Sequence, residues 1–190
     1  MNATERLVEN YFRIVKRCFT VSDVKVAKGN NRQFDLLAFQ PLEDRYYHVE
    51  VHVTHVPKWC FNLSQIENKI DGKFFGAPDN KRPENSNTDF AKSKSYLKQI
   101  QDTYSVYGIE FSKVIRVWCE WCYQEDQASR DTFRRKLSAK YGLPPENFML
   151  LSFRDHVLKE LNESVGTSNY DDEIMRTLSV LREFASQTKI

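Results

Sequence analysis

The stretch from Gln33 to Val56 constrains the fold most strongly, because it carries the two-residue period of β-structure twice in succession. In its first half a single acid, Asp35, lies within an apolar run. In its second half three valines alternate with three polar residues, namely Val49, Val51 and Val53 with His48, Glu50 and His52. The segment Pro41–Asp44 lies between the halves. The stretch therefore predicts an antiparallel hairpin with a turn of about four to six residues.

The alternation places the valines on one face of the second strand and the polar residues on the other. We expect the valine face to join the core. A carboxylate at Asp35 is costly to bury without a partner, and a cation shared with Glu50 across the hairpin would provide one. The alternative is a solvated polar face with a carboxylate–imidazole pair, which is common in half-exposed strands.

Composition sets limits on the class of protein. Apolar residues make up 41% and aromatic residues 13% of the 190 residues, and no linker divides them, which predicts one globular domain over residues 1–190. The 28 basic and 26 acidic residues nearly cancel, so any nucleic-acid binding must come from a local patch. A signal-peptide run is lacking, and no apolar stretch approaches the roughly 20 residues of a membrane helix. These features predict a soluble cytoplasmic protein with no membrane partner.

The remaining periodicities predict the element order α-β-β-β-α-α-β-α-β-α. This order indicates an α/β fold with a mixed β-sheet flanked by helices. Thr4 is the predicted N-cap of the first helix. Glycine, proline and asparagine between about residues 71 and 89 predict a long loop, and a last helix is expected over residues 170–187.

The sequence Phe-Asp-Leu-Leu-Ala at 34–38, followed after a short turn by Val-Glu-Val-His at 49–52, resembles the catalytic hairpin of the PD-(D/E)xK nuclease superfamily. That superfamily includes many restriction enzymes and Holliday-junction resolvases. The resemblance implies a restriction-endonuclease-like fold and a metal-dependent nuclease that cleaves DNA, with RNA as the second choice. It also implies a Mg²⁺ or Mn²⁺ ion held by Asp35, Glu50 and the backbone carbonyl of Val51, since hard cations bind oxygen ligands.

The first helix offers one more ligand by the same resemblance. Resolvase-like members carry a glutamate there that reaches the metal, and Glu5 in Glu-Arg-Leu-Val at 5–8 is similar to it. The alternative for Glu5 is a solvated acid that favours the helix N-terminus.

One position departs from the family pattern, because His52 stands where the motif has lysine. Histidine can accept a proton near neutral pH and so replace a base, but it supplies no cation when neutral. Alternatively His52 binds the metal, which would favour Mn²⁺ or Zn²⁺. Substitutes for the lysine are Lys58, Lys73 and Lys94. Basic residues in and around the long loop are the expected nucleic-acid contacts, namely Lys58, Lys73, Lys81, Arg82 and Lys94. The alternative is that these side chains form a solvated surface.

Two other functions remain open. The chain could be a catalytically inactive protein of the same fold that binds nucleic acid or a protein partner. It could also be a zinc-stabilised interaction module built on Cys119 and Cys122, although Zn²⁺ is disfavoured because a lone pair of cysteines falls short of four ligands. A homodimer is a further expectation, because two-strand cutters of the resembled fold often pair.

Overall fold

The computed structural model describes residues 2–28, 32–53, 62–77, 96–166 and 168–188. Its elements are α1 (Ala3–Asn10), β1 (Phe19–Lys25), β2 (Gln33–Gln40), β3 (Arg45–His52), α2 (Leu63–Phe75), α3 (Leu97–Val106), β4 (Val114–Glu120), α4 (Gln127–Tyr141), β5 (Phe148–Ser152), α5 (Lys159–Ser164) and α6 (Glu173–Gln187). A π-helical turn, Tyr11–Val15, extends α1, and another, Phe153–Leu158, leads into α5. None of the helices in these ranges combines the length and apolar character that crossing a membrane requires.

The five strands form one mixed sheet in the order β1-β2-β3-β4-β5. The first three strands pair antiparallel, whereas β3, β4 and β5 pair parallel. Parallel neighbours need crossover connections, and helices lie in both of these connections. Glu50 is level with Trp118, and His52 with Glu120. These residues lie near the carboxyl ends of the parallel strands, where α/β sheets commonly bind ligands.

The two faces of the sheet pack against different helices. The first, which we call the apolar face, meets α1, α5 and α6 in a cluster that includes Val8, Tyr11, Phe12, Val49, Val117, Cys119, Leu161 and Met175. The second, which we call the site face, meets α2, α3 and α4 in clusters that include Ile66, Ile70, Phe74, Ile100, Tyr104, Phe133 and Leu137. The predicted α/β class, with a mixed sheet flanked by helices, is therefore confirmed.

The central hairpin follows the alternation of its sequence. β2 and β3 pair antiparallel around a four-residue turn at 41–44. Val49 is fully buried in the apolar face, and Val51 and Val53 pack against the same cluster. His48 and Glu50 are also buried, so the solvated polar face considered for this strand is wrong for these two residues.

Two local predictions were wrong. Asn2, not Thr4, caps α1, because its side chain accepts from the Glu5 N–H while the Glu5 carboxylate accepts from the Asn2 N–H. The predicted loop does not begin at residue 71, since α2 continues to Phe75. Burial of Phe74 and Phe75 outweighs the weak helix propensity of glycine within this turn. Residues 78–95 lie outside the described ranges.

Candidate active site

Asp35 and Glu50 come together where the pairing of β2 with β3 ends. The last paired residues are Leu36 and Val49. Beyond them, the side chain of Asp35 replaces a backbone acceptor, and its Oδ2 accepts a hydrogen bond of 2.8 Å from the Val51 N–H. In return the backbone N–H of Asp35 favours the charged form of Glu50. The predicted pair of carboxyl groups is thus close enough for the charge of Glu50 to raise the pKa of Asp35.

Lys73 of α2 reaches the same place. Its Nζ lies 2.5 Å from Oε2 of Glu50, although 46% of the Lys73 side chain is exposed and only 2% of Glu50 is. The contact is an ion pair that lowers the pKa of Glu50 and raises that of Lys73. Of the three lysines predicted as substitutes, Lys73 is the one that the described residues bring to Glu50.

Both carboxyl groups hold a proton more tightly than usual. Burial raises the pKa of Asp35 to about 6, and the charge of Glu50 adds to this effect. Burial raises the pKa of Glu50 to about 7, although Lys73 opposes the rise. Carboxyl groups with pKa values raised by burial and by a neighbouring charge are typical of functional sites. An added cation would stabilise both charged forms.

His52 lies beside this pair, in an environment that opposes its protonation. Its Nε2 lies 3.1 Å from Nζ of Lys69, one helical turn from Lys73, and its ring stacks on Trp118 at a centroid distance of 5.6 Å. Burial lowers the pKa of His52 to about 4, with the charges of Lys69 and Lys73 contributing. The imidazole is therefore neutral near pH 7. Because Nε2 accepts from an ammonium group, the lone pair that a general base needs at this atom is engaged.

Two buried residues that the sequence interpretation did not assign to the site complete a network behind Glu50. Nε2 of His48 lies 2.9 Å from Oε1 of Glu50, and Nδ1 of His48 lies 2.6 Å from the hydroxyl oxygen of Tyr104. The spacing of His48 and Glu50 already indicates a shared strand face. No sequence signal points to Tyr104, which lies 56 positions from His48.

A third cation lies close to Lys73. Nη1 of Arg32 donates a hydrogen bond of 2.9 Å to the Gly72 carbonyl, and its guanidinium lies 4.3 Å above the ring centroid of Tyr96. The charge of Arg32 is close enough to lower the pKa of Lys73. Arg32, Lys69 and Lys73 together form a local basic patch beside the carboxylates.

Glu5 is engaged within its own helix. Its two carboxylate oxygens accept hydrogen bonds of 2.8 and 2.7 Å from the backbone and side chain of Asn2. Its charge nevertheless raises the pKa of Glu50 slightly, as the weakest of the contributions. Its role as a metal ligand stays a prediction. The predicted contacts at Lys58, Lys81, Arg82 and Lys94 lie outside the described residues.

The donor set fits a hard cation with few protein ligands. In the described ranges no group of three or more His, Cys, Asp or Glu side chains is arranged to hold a metal. Two carboxylates and water suffice for Mg²⁺, which commonly keeps several of its waters. Cys119 is buried in the apolar face, and burial raises the pKa of its thiol. This effect opposes the thiolate form that a zinc ligand requires.

Comparisons of the chain with protein-family models, with curated proteins and with solved structures found no match.

Proposed function

We propose that this protein is a divalent-metal-dependent nuclease of the PD-(D/E)xK type that cleaves DNA, with RNA as the second choice. The observation that carries the proposal is the convergence of Asp35, Glu50 and Lys73. Two carboxylates from neighbouring strands and a lysine match the kinds of side chain that the family motif uses. Here the lysine comes from a helix and not from the position occupied by His52.

The carboxylates are suited to hold Mg²⁺ or Mn²⁺. Oε2 of Glu50 is a buried oxygen at the candidate site, where it meets Lys73, and burial together with the charge of Glu50 raises the pKa of Asp35. Asp35 and Glu50 would hold the ion, with the Val51 carbonyl as the third ligand that the resemblance implies. When bound, such an ion activates water and neutralises charge that develops on a phosphate.

Lys73 supplies positive charge and is unsuited to act as a base. Burial lowers its pKa, but the charges of Glu50 and Asp35 outweigh this effect and keep the pKa above its ordinary value. The ammonium group therefore stays protonated and can donate to a phosphate oxygen. Arg32 and Lys69 extend the positive charge, so a phosphodiester backbone would meet a basic patch despite the small net charge.

A specific observation favours the inactive alternative as the second candidate. Lys73 already neutralises Glu50, and His52 neither supplies a cation nor leaves Nε2 available as a base. A protein with this arrangement could bind nucleic acid or a partner without cleaving it. The zinc-module and homodimer predictions gain no support from the described residues. Elemental analysis for zinc tests the first, and analytical ultracentrifugation tests the second.

Calorimetric titration with Mn²⁺ and Mg²⁺ tests the proposal. We expect binding to the wild type, a loss of at least about tenfold in Asp35→Asn and Glu50→Gln, and no change in Glu43→Gln, which alters an exposed carboxylate of the same hairpin. Cleavage of single-stranded, duplex and branched DNA and of RNA should follow the same ranking. If the wild type binds neither ion, the proposal is wrong. Metal and nucleic-acid binding without cleavage would select the inactive alternative.

A further inference from the structure

A chain of hydrogen bonds runs from helix α3 to the candidate site. It joins the Tyr104 hydroxyl to Nδ1 of His48 at 2.6 Å, and Nε2 of His48 to Oε1 of Glu50 at 2.9 Å. Tyr104 and His48 are completely buried and Glu50 is 2% exposed. Since buried polar groups are costly unless they are paired, a satisfied network of this kind imposes one arrangement on its members.

The chemistry of the three groups gives the chain a direction. A phenol keeps its proton near neutral pH, so Tyr104 donates to Nδ1 of His48. An Nδ1 atom that accepts this hydrogen bond carries no proton of its own, so the N–H of the ring is on Nε2, from which it is donated to Oε1 of Glu50. This tautomer is assigned from the network of partners.

Packing holds the imidazole ring in this orientation. The centroid of the His48 ring lies 4.0 Å from that of Phe34 and 4.7 Å from that of Phe74, which contacts it edge to face. With Oε1 of Glu50 bound to His48, the second oxygen, Oε2, is directed to Lys73. The carboxylate of Glu50 is thus fixed at one oxygen, and the other oxygen lies at the candidate site.

We propose that His48 and Tyr104 are positioning residues that orient the Glu50 carboxylate for a divalent cation: Tyr104 sets the tautomer of His48, and His48 holds Oε1 so that Oε2 is directed into the candidate site. The inference rests on the proposed function of the site. Groups that orient metal ligands typically change metal affinity by about 10- to 100-fold when they are removed.

Mn²⁺ affinity of a small set of variants tests the inference. We expect His48→Leu to bind Mn²⁺ about 10- to 100-fold more weakly than the wild type and Tyr104→Phe about threefold to tenfold more weakly. His48→Gln should recover most of the affinity, because its amide nitrogen can donate to Glu50. In the His48→Gln background, Tyr104→Phe should cause no further loss of Mn²⁺ affinity. If Tyr104→Phe acted only through a loss of packing, it would weaken Mn²⁺ binding by the same factor in both backgrounds. Tyr11→Phe, which removes a buried hydroxyl bonded to Glu160 on the apolar face, should leave the affinity unchanged.

A second measurement needs no metal and covers the case in which His48→Leu fails to fold. Long-range ¹H–¹⁵N correlation spectra should show the His48 proton on Nε2 in the wild type and a mixture of tautomers in Tyr104→Phe. A proton on Nδ1, or unchanged Mn²⁺ affinity in Tyr104→Phe and His48→Leu, would overturn this inference alone. Absence of Mn²⁺ binding to the wild type would overturn the proposed function, and the orienting role for a cation would fail with it.

Discussion

The same strands build two faces with opposite chemistry. β3 contributes Val49 to the apolar face and Glu50 to the site face, and β4 contributes Val117 to the first and Arg116 to the second. All four residues are nearly inaccessible to solvent. On the apolar face burial mainly requires complementary shape. On the site face each buried charge requires a specific partner, such as the two carbonyl oxygens that accept from Arg116.

Burial alone therefore does not reveal why a residue occupies its position. Apolar side chains stabilise the fold in proportion to the area they remove from water. Replacing a buried ion pair with apolar residues is often neutral or stabilising. The polar residues of the site face are therefore poor choices for stability alone. We expect changes on the apolar face to be independent of pH and those on the site face to depend on it.

The largest effect on stability should come from Leu161→Ala on the apolar face. Leu161 is completely buried, so its truncation should lower the free energy of unfolding by about 3–5 kcal/mol. Urea denaturation should give the same loss at pH 5 and pH 8, and Mn²⁺ affinity should not change. Val180→Ala, at a position 63% exposed, should cost less than about 0.5 kcal/mol. A loss that varied strongly with pH would show that the two faces are not independent.

Lys73→Ala should have a smaller effect that depends on pH. At pH 8, above its pKa of about 7, the Glu50 carboxylate of the wild type is charged, and we expect the loss of its cationic partner to cost about 2 kcal/mol. At pH 5, below the Glu50 pKa of about 7, the carboxyl group is protonated and the cost should nearly vanish. Lys136→Ala removes an exposed lysine paired with Glu67 and should cost less than about 1 kcal/mol at both pH values. Equal losses for Lys73→Ala at both pH values would contradict the assigned ion pair.

The wild type should itself lose stability as the pH rises through the titration of the site. The pKa of Asp35 is raised from 3.8 to about 6 and that of Glu50 from 4.5 to about 7. A carboxyl group with a raised pKa binds its proton more tightly in the folded state. Its contribution to stability is therefore fully present below the pKa of the unfolded state and is lost as the pH rises through the pKa of the folded state.

Mg²⁺ should reverse part of that loss. At pH 8 and ten times its dissociation constant, Mg²⁺ should stabilise the folded protein by about 1.4 kcal/mol. It should have little effect at pH 5, where protons compete for the same oxygens. Thermal or urea denaturation with and without Mg²⁺ measures the difference. If Mg²⁺ stabilised Glu50→Gln as much as the wild type, the ion would have to bind elsewhere.

The smallest effect should be that of Glu5→Gln. Glutamine also closes a capping box, so stability should change by less than about 0.5 kcal/mol, whereas Asn2→Ala should cost about 1 kcal/mol. Mn²⁺ affinity of Glu5→Gln should stay within about twofold of the wild type, because both carboxylate oxygens of Glu5 are engaged by Asn2. Removing a direct ligand would cost far more. A tenfold weaker affinity would instead establish Glu5 as the ligand that the family resemblance implies.

Patterns of short range made much of the architecture predictable. The alternation around Val49 indicated both the strand and its buried face, because successive side chains of a strand point in opposite directions. Short-range signals misled where packing outweighed them. Gly72 indicated a loop, but the burial of the adjacent Phe74 and Phe75 continues the helix.

The sequence by itself determined the hairpin and the α/β class, since each follows from side-chain period and local turn chemistry. Only the tertiary structure decided which lysine meets Glu50, that Tyr104 lies behind His48, and that His52 is held neutral beside Lys69. These contacts join residues distant in sequence, and burial sets their protonation states. Neither the distance nor the loss of water is encoded in a local pattern.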